Sequence, residues 1–423
     1  MARVVVVGGG FAGMSAAARL AKLRHEVTVL EATDGLGGRL RGHTVDGRTW
    51  QLSPGTVTLP GVLRDLFRKS GRPIERVADL VQTEGRRHVF ADRSVLDLPL
   101  DNRGDQHQAV VDALGEDHWS AWVDTLAERW DVLRRSVLDR VVGDRDDLDR
   151  SARRTLDVRR SLARMARKDL KDDRLRAIVL DGVRLDGQQP SSVPAFVAVQ
   201  HYVERSFGRW RIDGGLPALA DALATRLEER TVEIRTNVLA HEVRIESGRA
   251  AGVVTQSGDV PADIVVWCAP TWPAPLRQPP GLPAIPASRT LLVLDGAAPV
   301  LPADVLAHGD PPIHAWSDAP GQWTLAHHNA EDPLVALARV GIRFKDHVVE
   351  RHDLSPADLV RLGHWGWAWQ GWATLFDRPG VGTDERLGGT FFMAGAHAHP
   401  GGTIEEIGSA TAAVADAIGA APR

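Results

Sequence analysis

Three glycines near the N-terminus, Gly8, Gly10 and Gly13, stand in the spacing G-x-G-x-x-G, with Phe11 and Ala12 between the last two. That spacing suits a chain turning tightly out of a strand and into a helix. Gly8 permits the turn, Gly10 lets backbone approach a pyrophosphate, and Gly13 lets the helix lie close on the strand. Phosphates then sit at a helix N-terminus, where unpaired N–H groups and the helix dipole favour negative charge. Glu31 follows Gly13 by eighteen residues, the distance at which an acid accepts hydrogen bonds from ribose hydroxyls. A carboxylate there repels a 2′-phosphate, so the chemistry is that of FAD or NAD rather than NADP.

Other chemically capable side chains gather late in the chain. Trp365, Trp367, Trp369 and Trp372 occupy four of eight positions, and the first three share a face if the segment is extended. Indoles there either fill a core or wall a pocket for an apolar or cationic ligand. A substrate cavity lined by part of this segment, with His399, is expected. Glu405 is read as a helix cap or arginine partner, or else as a carboxylate that accepts a proton in a low-dielectric pocket. His397, His399, Glu405 and Glu406 imitate a non-haem iron set, but the surrounding strand–glycine–helix pattern makes no metal the expectation. No Ser/His/Asp or cysteine nucleophile is evident.

The elements that must position these groups follow from periodicity. Val4 to Val7 is a β-branched run suited to a strand buried on both faces. Met14 to Leu23 reads as a helix with Ala17, Leu20 and Ala21 inward, and Glu26 to Leu30 as a second strand. Leu216, Leu219, Ala220, Leu223 and Leu227 mark another amphipathic helix. Strands are expected at Val232–Arg235, Val243–Ile245, Ala250–Thr255 and Ala262–Val266. An apolar strand closes on Gly395, and a helix is expected over Ile407–Ile418. Trp119, Trp122, Leu126, Trp130, Leu133 and Val137 form one apolar helical stripe, read first as a packing face and second as a substrate-lining one.

Several blocks carry a resemblance. Gly37-Gly38-Arg39 completes E-x5-G-G-R after Glu31, and Trp50-Gln51-Leu52-Ser53-Pro54-Gly55-Thr56 precedes Pro60. Arg211-Ile212-Asp213-Gly214-Gly215 opens the second helix, and Gly395-Ala396 leads through His399-Pro400-Gly401-Gly402 to Thr403-Ile404-Glu405. Together these resemble the phytoene desaturase-like and flavin amine oxidase superfamily. Gln51 and Ser53 depart from the family's Asp and Gly, and Thr403-Ile404-Glu405 replaces Gly-Leu-Pro with a turn closer to that of amine oxidases. The resemblance implies an α/β protein with a GDI-like two-domain fold. A discontinuous Rossmann-like FAD-binding domain with a β-meander (1–75, 210–270 and 385–423) would carry an inserted α+β substrate domain (76–209 and 271–384). It implies noncovalent FAD held by Gly8, Gly10, Phe11, Ala12, Gly13, Glu31, Gly37, Gly38, Arg39, Gly55, Thr56, Val238, Gly395, Thr403 and Ile404. The function implied is hydride removal from, or double-bond isomerisation in, a largely apolar isoprenoid, polyene or natural product. Amine oxidation and a non-catalytic prenyl- or lipid-binding role are the alternatives.

Composition bounds the partners. The chain has 423 residues, enough for two lobes, and its 43% hydrophobic content is ordinary for a globular protein. With 51 basic and 55 acidic side chains the net charge is −4, which excludes a strongly basic nucleic-acid binder. No run of eighteen apolar residues occurs, so no transmembrane segment is expected. Residues 150–176 hold eleven basic and four acidic side chains, read as a solvated face or as a peripheral contact with anionic lipid headgroups. The lone Cys268 makes no internal disulfide, and a cytoplasmic location is expected. The electron acceptor is not legible.

Overall fold

In the computed structural model the described residues are all except 116, 141, 143, 279, 280, 329, 365, 379–386 and 423. Trp365 therefore lies outside them. The valine run forms the centre of a five-stranded parallel sheet in the order Glu233–Arg235, Glu26–Leu30, Arg3–Val7, Ile264–Trp267, Phe391–Met393. Val6 pairs with Val29 on one side and Val266 on the other. Alternate valines then serve two cores. Val4 and Val6 pack with Met14, Leu20, Leu219, Leu223 and Val414 beneath the helices Phe11–Lys22, Gly215–Glu229 and Ile404–Ile418. Val5 and Val7 pack with Val243 and Val253 under an antiparallel meander, Ala240–Glu246, Arg249–Thr255 and Gly258–Pro261. A strand covered on both faces must be apolar at every buried position, and Val4–Val7 are, with only Arg3 at the exposed end.

A second sheet has seven strands, in the order Val348–Leu354, Ser288–Leu294, Gln322–His327, Ile313–Ala319, Asp304–His308, Gly85–Phe90, Val95–Pro99. One of its faces buries Val89, Val305, Ala307 and Leu337. The strand alternation that puts Val89 and Val305 there turns Arg86, His88, Asp304 and His308 to the opposite face. The helix Asp173–Leu185 docks on that polar face. Asp181 Oδ2 bonds His308 Nδ1 at 2.8 Å, and His308 Nε2 meets His88 Nδ1 at 2.8 Å. A small sheet of Thr56–Val57, Trp210–Ile212 and Leu80–Gln82 ties the segments together.

Two expected helices are corrected. The tryptophan stripe is not one helix but Trp119–Asp124, Ala127–Leu133 and a π-helical turn Arg134–Leu138. Trp119, Trp122 and Trp130 are all buried, with Trp119 and Trp122 against the His201 ring. The stripe is a packing face. The C-terminal helix starts at Ile404, three residues earlier than its apolar periodicity implies. Thr403 Oγ1 accepts the Glu406 N–H at 3.2 Å while the Glu406 carboxylate accepts the Thr403 N–H at 3.0 Å, a capping box that stabilises the first turn.

Candidate functional site

The glycine turn lies where the first strand gives way to the first helix. Gly8 has φ +99°, and a Cβ there would lie 2.9 Å from the Ala269 nitrogen. At Gly13 a Cβ would stand 1.8 Å from the Gly8 carbonyl oxygen, so helix and strand touch through bare backbone. Gly10 differs. Its φ of −75° and ψ of −173° suit any residue, and the nearest atom to a Cβ there is the Gly38 Cα, at 4.0 Å. Neither strain nor a protein neighbour demands glycine at this position. The space above it is open.

That space faces an uncapped helix N-terminus. Gly10 is the N-cap, with no side-chain cap bond and no acid in the first turn. The first helical bond runs from the Met14 N–H to the Gly10 carbonyl at 3.0 Å, which leaves the earlier N–H groups around Phe11 and Ala12 without a helical partner. Such an end accepts an anion. Gly37 N–H donates to the Gly9 carbonyl at 2.8 Å, and a Cβ on Gly38 would sit 3.1 Å from the Gly10 Cα, so the glycine pair packs directly on the turn. Glu31 Oε2 accepts the Gly9 N–H at 2.7 Å, and its Oε1 accepts both the N–H and hydroxyl of Thr33. The Val238 N–H is committed to the Glu31 carbonyl at 2.9 Å.

Arg39 follows the glycine pair. Its side chain is reached by solvent yet is surrounded by protein, and burial lowers its pKa while nearby Asp186 raises it. Asp186 is likewise reachable but enclosed. Burial pushes its carboxyl up to about 6, against the pull of Arg289, Arg86 and Arg39. Arg289 falls to about 10 through burial. His364, buried beside Arg39 and Arg289, falls to about 2 and stays neutral. On the second sheet, Asp304 bonds Arg86, Arg209 and His314 at 2.8, 2.7 and 2.9 Å. Burial alone would raise the Asp304 carboxyl, but those three neighbours hold it well below the usual range.

The late residues are more committed than their spacing implies. Gly395 has φ +132° and starts a turn closed by the Ala398 N–H at 3.0 Å. His399 Nε2 meets the Val137 carbonyl at 2.9 Å, so this ring serves the π-helical turn rather than standing free in a pocket. Trp367 is buried and donates Nε1–H to the His397 carbonyl at 3.1 Å. Trp369 packs edge-on to Phe196 and under Arg378, 5.0 Å from its centroid. Thr403 is the helix cap and Ile404 is half-buried. Glu405 Oε1 accepts the N–H of Thr58 and, at 3.1 Å, its hydroxyl. The carboxylate offered as a proton acceptor is thus spent stitching the helix to the Thr56–Pro60 loop. In that loop the Thr56 hydroxyl accepts from Arg209 at 3.0 Å, and Gly55 leaves room for Gln51, whose Oε1 would be 2.6 Å from a Cβ. Gln51 Oε1 accepts the Leu216 N–H at 2.8 Å. The unusual Gln caps the Gly215–Glu229 helix.

Sequence reading misses Asp186, Arg289 and His364. They come from three distant segments with no shared spacing, and only the tertiary structure gathers them. Among the described residues no group of three or more His, Cys, Asp or Glu could hold a metal ion.

Residues 11–301 match the family model of flavin containing amine oxidoreductases. This chain belongs to that family. Membership implies a flavin cofactor, and the open cradle, uncapped N-terminus and ribose-distance carboxylate fit a dinucleotide. Within the family, the chain is 30% identical over 290 residues to a 4,4'-diapolycopene oxygenase of Methylomonas sp., covering 62% of this chain and 55% of that protein. It is 32% identical over 275 residues to a zeta-carotene-forming phytoene desaturase of Myxococcus xanthus, covering 63% and 53%. It spans about half the length of the curated relatives it matches. Among solved structures, an oxidoreductase from Methanosarcina mazei superposes with TM-score 0.66 at 16% identity, over 98% of this chain and 100% of that one. Putrescine oxidase bound to putrescine gives 0.61 at 15%, over 99% and 98%. These two share the fold.

Proposed function

We propose that this flavin-family member is an FAD-dependent oxidoreductase that removes hydride from, or redistributes double bonds in, a largely apolar polyene, isoprenoid or related natural product. The observation that carries the cofactor reading is the open position at Gly10, beside an uncapped helix end and the Gly37-Gly38 pair. Gly8, Gly10, Phe11, Ala12 and Gly13 would surround the pyrophosphate, Glu31 the ribose, and backbone at Val238 the adenine. Gly37, Gly38 and Arg39 would approach the phosphates from the opposite side, with Gly55, Thr56, Gly395, Thr403 and Ile404 toward the flavin ring. When bound, the flavin supplies hydride acceptance. The chain's own residues would orient the substrate. The substrate class is supported by sequence relatives named as carotenoid desaturases and oxygenases, whereas putrescine oxidase shares only the fold.

Noncovalent binding is supported by Cys268. Burial pushes its thiol up to about 12, so it stays protonated and unreactive. The FAD domain is assigned to 1–75, 210–270 and 385–423 and the substrate domain to the rest, the 384/385 boundary lying outside the described residues. No helix among the described residues is long and apolar enough to cross a membrane. The basic 150–176 stretch, where Arg160, Arg174 and Arg176 have acidic partners, is the surface proposed for peripheral lipid contact in a cytoplasmic protein.

The test is anaerobic bleaching of the FAD-loaded protein by a panel of polyenes, isoprenoids and amines. Bleaching by amines alone overturns the substrate class. Acid precipitation should leave the yellow colour in the supernatant, and a yellow pellet overturns noncovalent binding.

A further inference from the structure

Arg378 is a buried cation that no acid meets. Its side chain is 9% exposed. Among the described residues it makes one hydrogen bond, from Nη1 to the Pro400 carbonyl at 2.8 Å, and no ion pair. Its Nε is buried without a partner. We infer that the recess beside Arg378 binds a small anionic group, a halide or a carboxylate, through this guanidinium.

Gly281, Trp367, Gln370, Thr374, Asp377 and Arg378 line the recess. One wall is the Trp367 ring, which lies against bare backbone at Gly281, where a Cβ would stand 2.3 Å from it. The strands Pro283–Ala284 and Gly366–Trp367 pair there and hold that wall in place. The guanidinium lies over the Trp369 ring, 5.0 Å from its centroid, so its flat face is occupied and its edges do the bonding. One edge holds Pro400. The other, Nε with Nη2, is the side-on fork that suits an anion.

A second donor faces the same space. Thr374 is buried, and its Oγ1 accepts the Gln370 N–H at 2.8 Å, which leaves the hydroxyl proton to give. Asp377, the one acid in the lining, is exposed and is not among the charges acting on Arg378. Glu406 is, but its carboxylate accepts the Thr403 N–H in the capping box. An arginine keeps its proton, and burial lowers the Arg378 pKa against the pull of Glu406. A cation enclosed without a bonded counter-charge is costly, and an anion in the recess removes that cost.

The recess has room for about one water-sized group, about 10 Å³. That suits a halide or the end of a carboxylate and excludes a sulfonate or phosphate. The site also touches the loop that follows Gly395, because Pro400 lies five residues beyond that glycine and three before the Thr403 cap. A free anion and the carboxylate end of an apolar chain share this chemistry, and only the second source rests on the proposed function.

The experiment follows the melting temperature of the full chain as sodium bromide or sodium formate replaces sodium methanesulfonate at constant ionic strength. Wild type should melt about 3 °C higher at one hundred times the dissociation constant, on a saturating curve. Arg378→Met should lose that rise. Arg378→Lys keeps the charge without the planar fork and should need about tenfold more bromide. No anion-specific rise in wild type, or a rise retained in Arg378→Met, overturns the inference. Should Arg378→Met fail to fold, an unmoved bromide midpoint in Arg378→Lys overturns it instead. A polyene carboxylic acid that raises the bromide midpoint, where the matching alcohol does not, supports the site as the seat of the substrate's end; with the rise present, an unmoved midpoint supports a free anion there. A protein that shows the rise but is bleached by nothing in the panel overturns the proposed function and leaves the anion site standing.

Discussion

Replacing Gly10 by valine separates a glycine kept for the fold from one kept for a ligand. The backbone at Gly10 is extended, so valine adopts it without strain, and the nearest protein atom to a new Cβ is 4.0 Å away. The intrinsic cost is that of a poorer N-cap, about 1 kcal/mol. For a chain of this length the entropy of unfolding is about 0.9 kcal/mol per degree, so apo Gly10→Val should melt only about 1 °C below apo wild type. Flavin binding is another matter, because the valine methyl groups would occupy the open space at the helix N-terminus. FAD at one hundred times its dissociation constant stabilises wild type by about 2.7 kcal/mol, which raises Tm by about 3 °C. The variant should show no rise and elute colourless. Differential scanning fluorimetry with and without FAD, alongside the absorbance of the purified protein, reads both quantities. A variant that gains the same 3 °C, or whose apo form melts far below wild type, would refute the reasoning.

Gly13→Ala should behave in the opposite way: its Cβ would lie 1.8 Å from the Gly8 carbonyl oxygen, so fold and flavin should be lost together, with destabilisation on the order of 4 kcal/mol or more seen in denaturant melts. Glu405→Ala leaves the Thr58 N–H without its charged acceptor and should cost about 1–3 kcal/mol, whereas Glu405→Gln, which keeps an acceptor oxygen, should cost less in the same urea titration; equal losses would show that the Thr58 bond contributes nothing. Asp186→Asn should change the pH dependence of stability. The folded-state carboxyl, at about 6, lies above the ordinary value of 3.8. The stability this lends is complete below the unfolded value and lost as pH rises through the folded one. The variant should therefore out-melt wild type at pH 8 and match it near pH 3.5, and a constant difference in Tm would exclude Asp186 as the source.

The sequence by itself determined the first strand, the glycine turn and the helix it opens. Val4–Val7, the Gly8–Gly13 turn, Glu31 and Gly37-Gly38-Arg39 lie within forty residues, and each obeys a local rule. A β-branched run forms a central strand, glycine allows close approach, and an acid ends the next strand. Local rules act through sequence neighbours, so they are legible without a structure. Periodicity also found the helix from Gly215 and two of the three meander strands to within a few residues, but not Gly258–Pro261. It missed the start of the C-terminal helix because a capping box, not an apolar stripe, sets that boundary.

Only the tertiary structure decided which polar side chains are free. Glu405 and His399 have the residue types of an active site, yet each meets a partner far away in the chain, Thr58 and Val137, that no spacing reveals. Gln51 looked like a defect in a flavin motif until the fold set its amide against the N-terminus of a helix that begins beyond residue 210. Asp186 sits at an ordinary helix end, and its carboxyl rises only because folding surrounds it with protein, against the pull of Arg289, Arg86 and Arg39. Ionisation depends on enclosure and on charges brought near through space. A linear sequence holds neither quantity, because both arise from contacts between segments that only folding brings together.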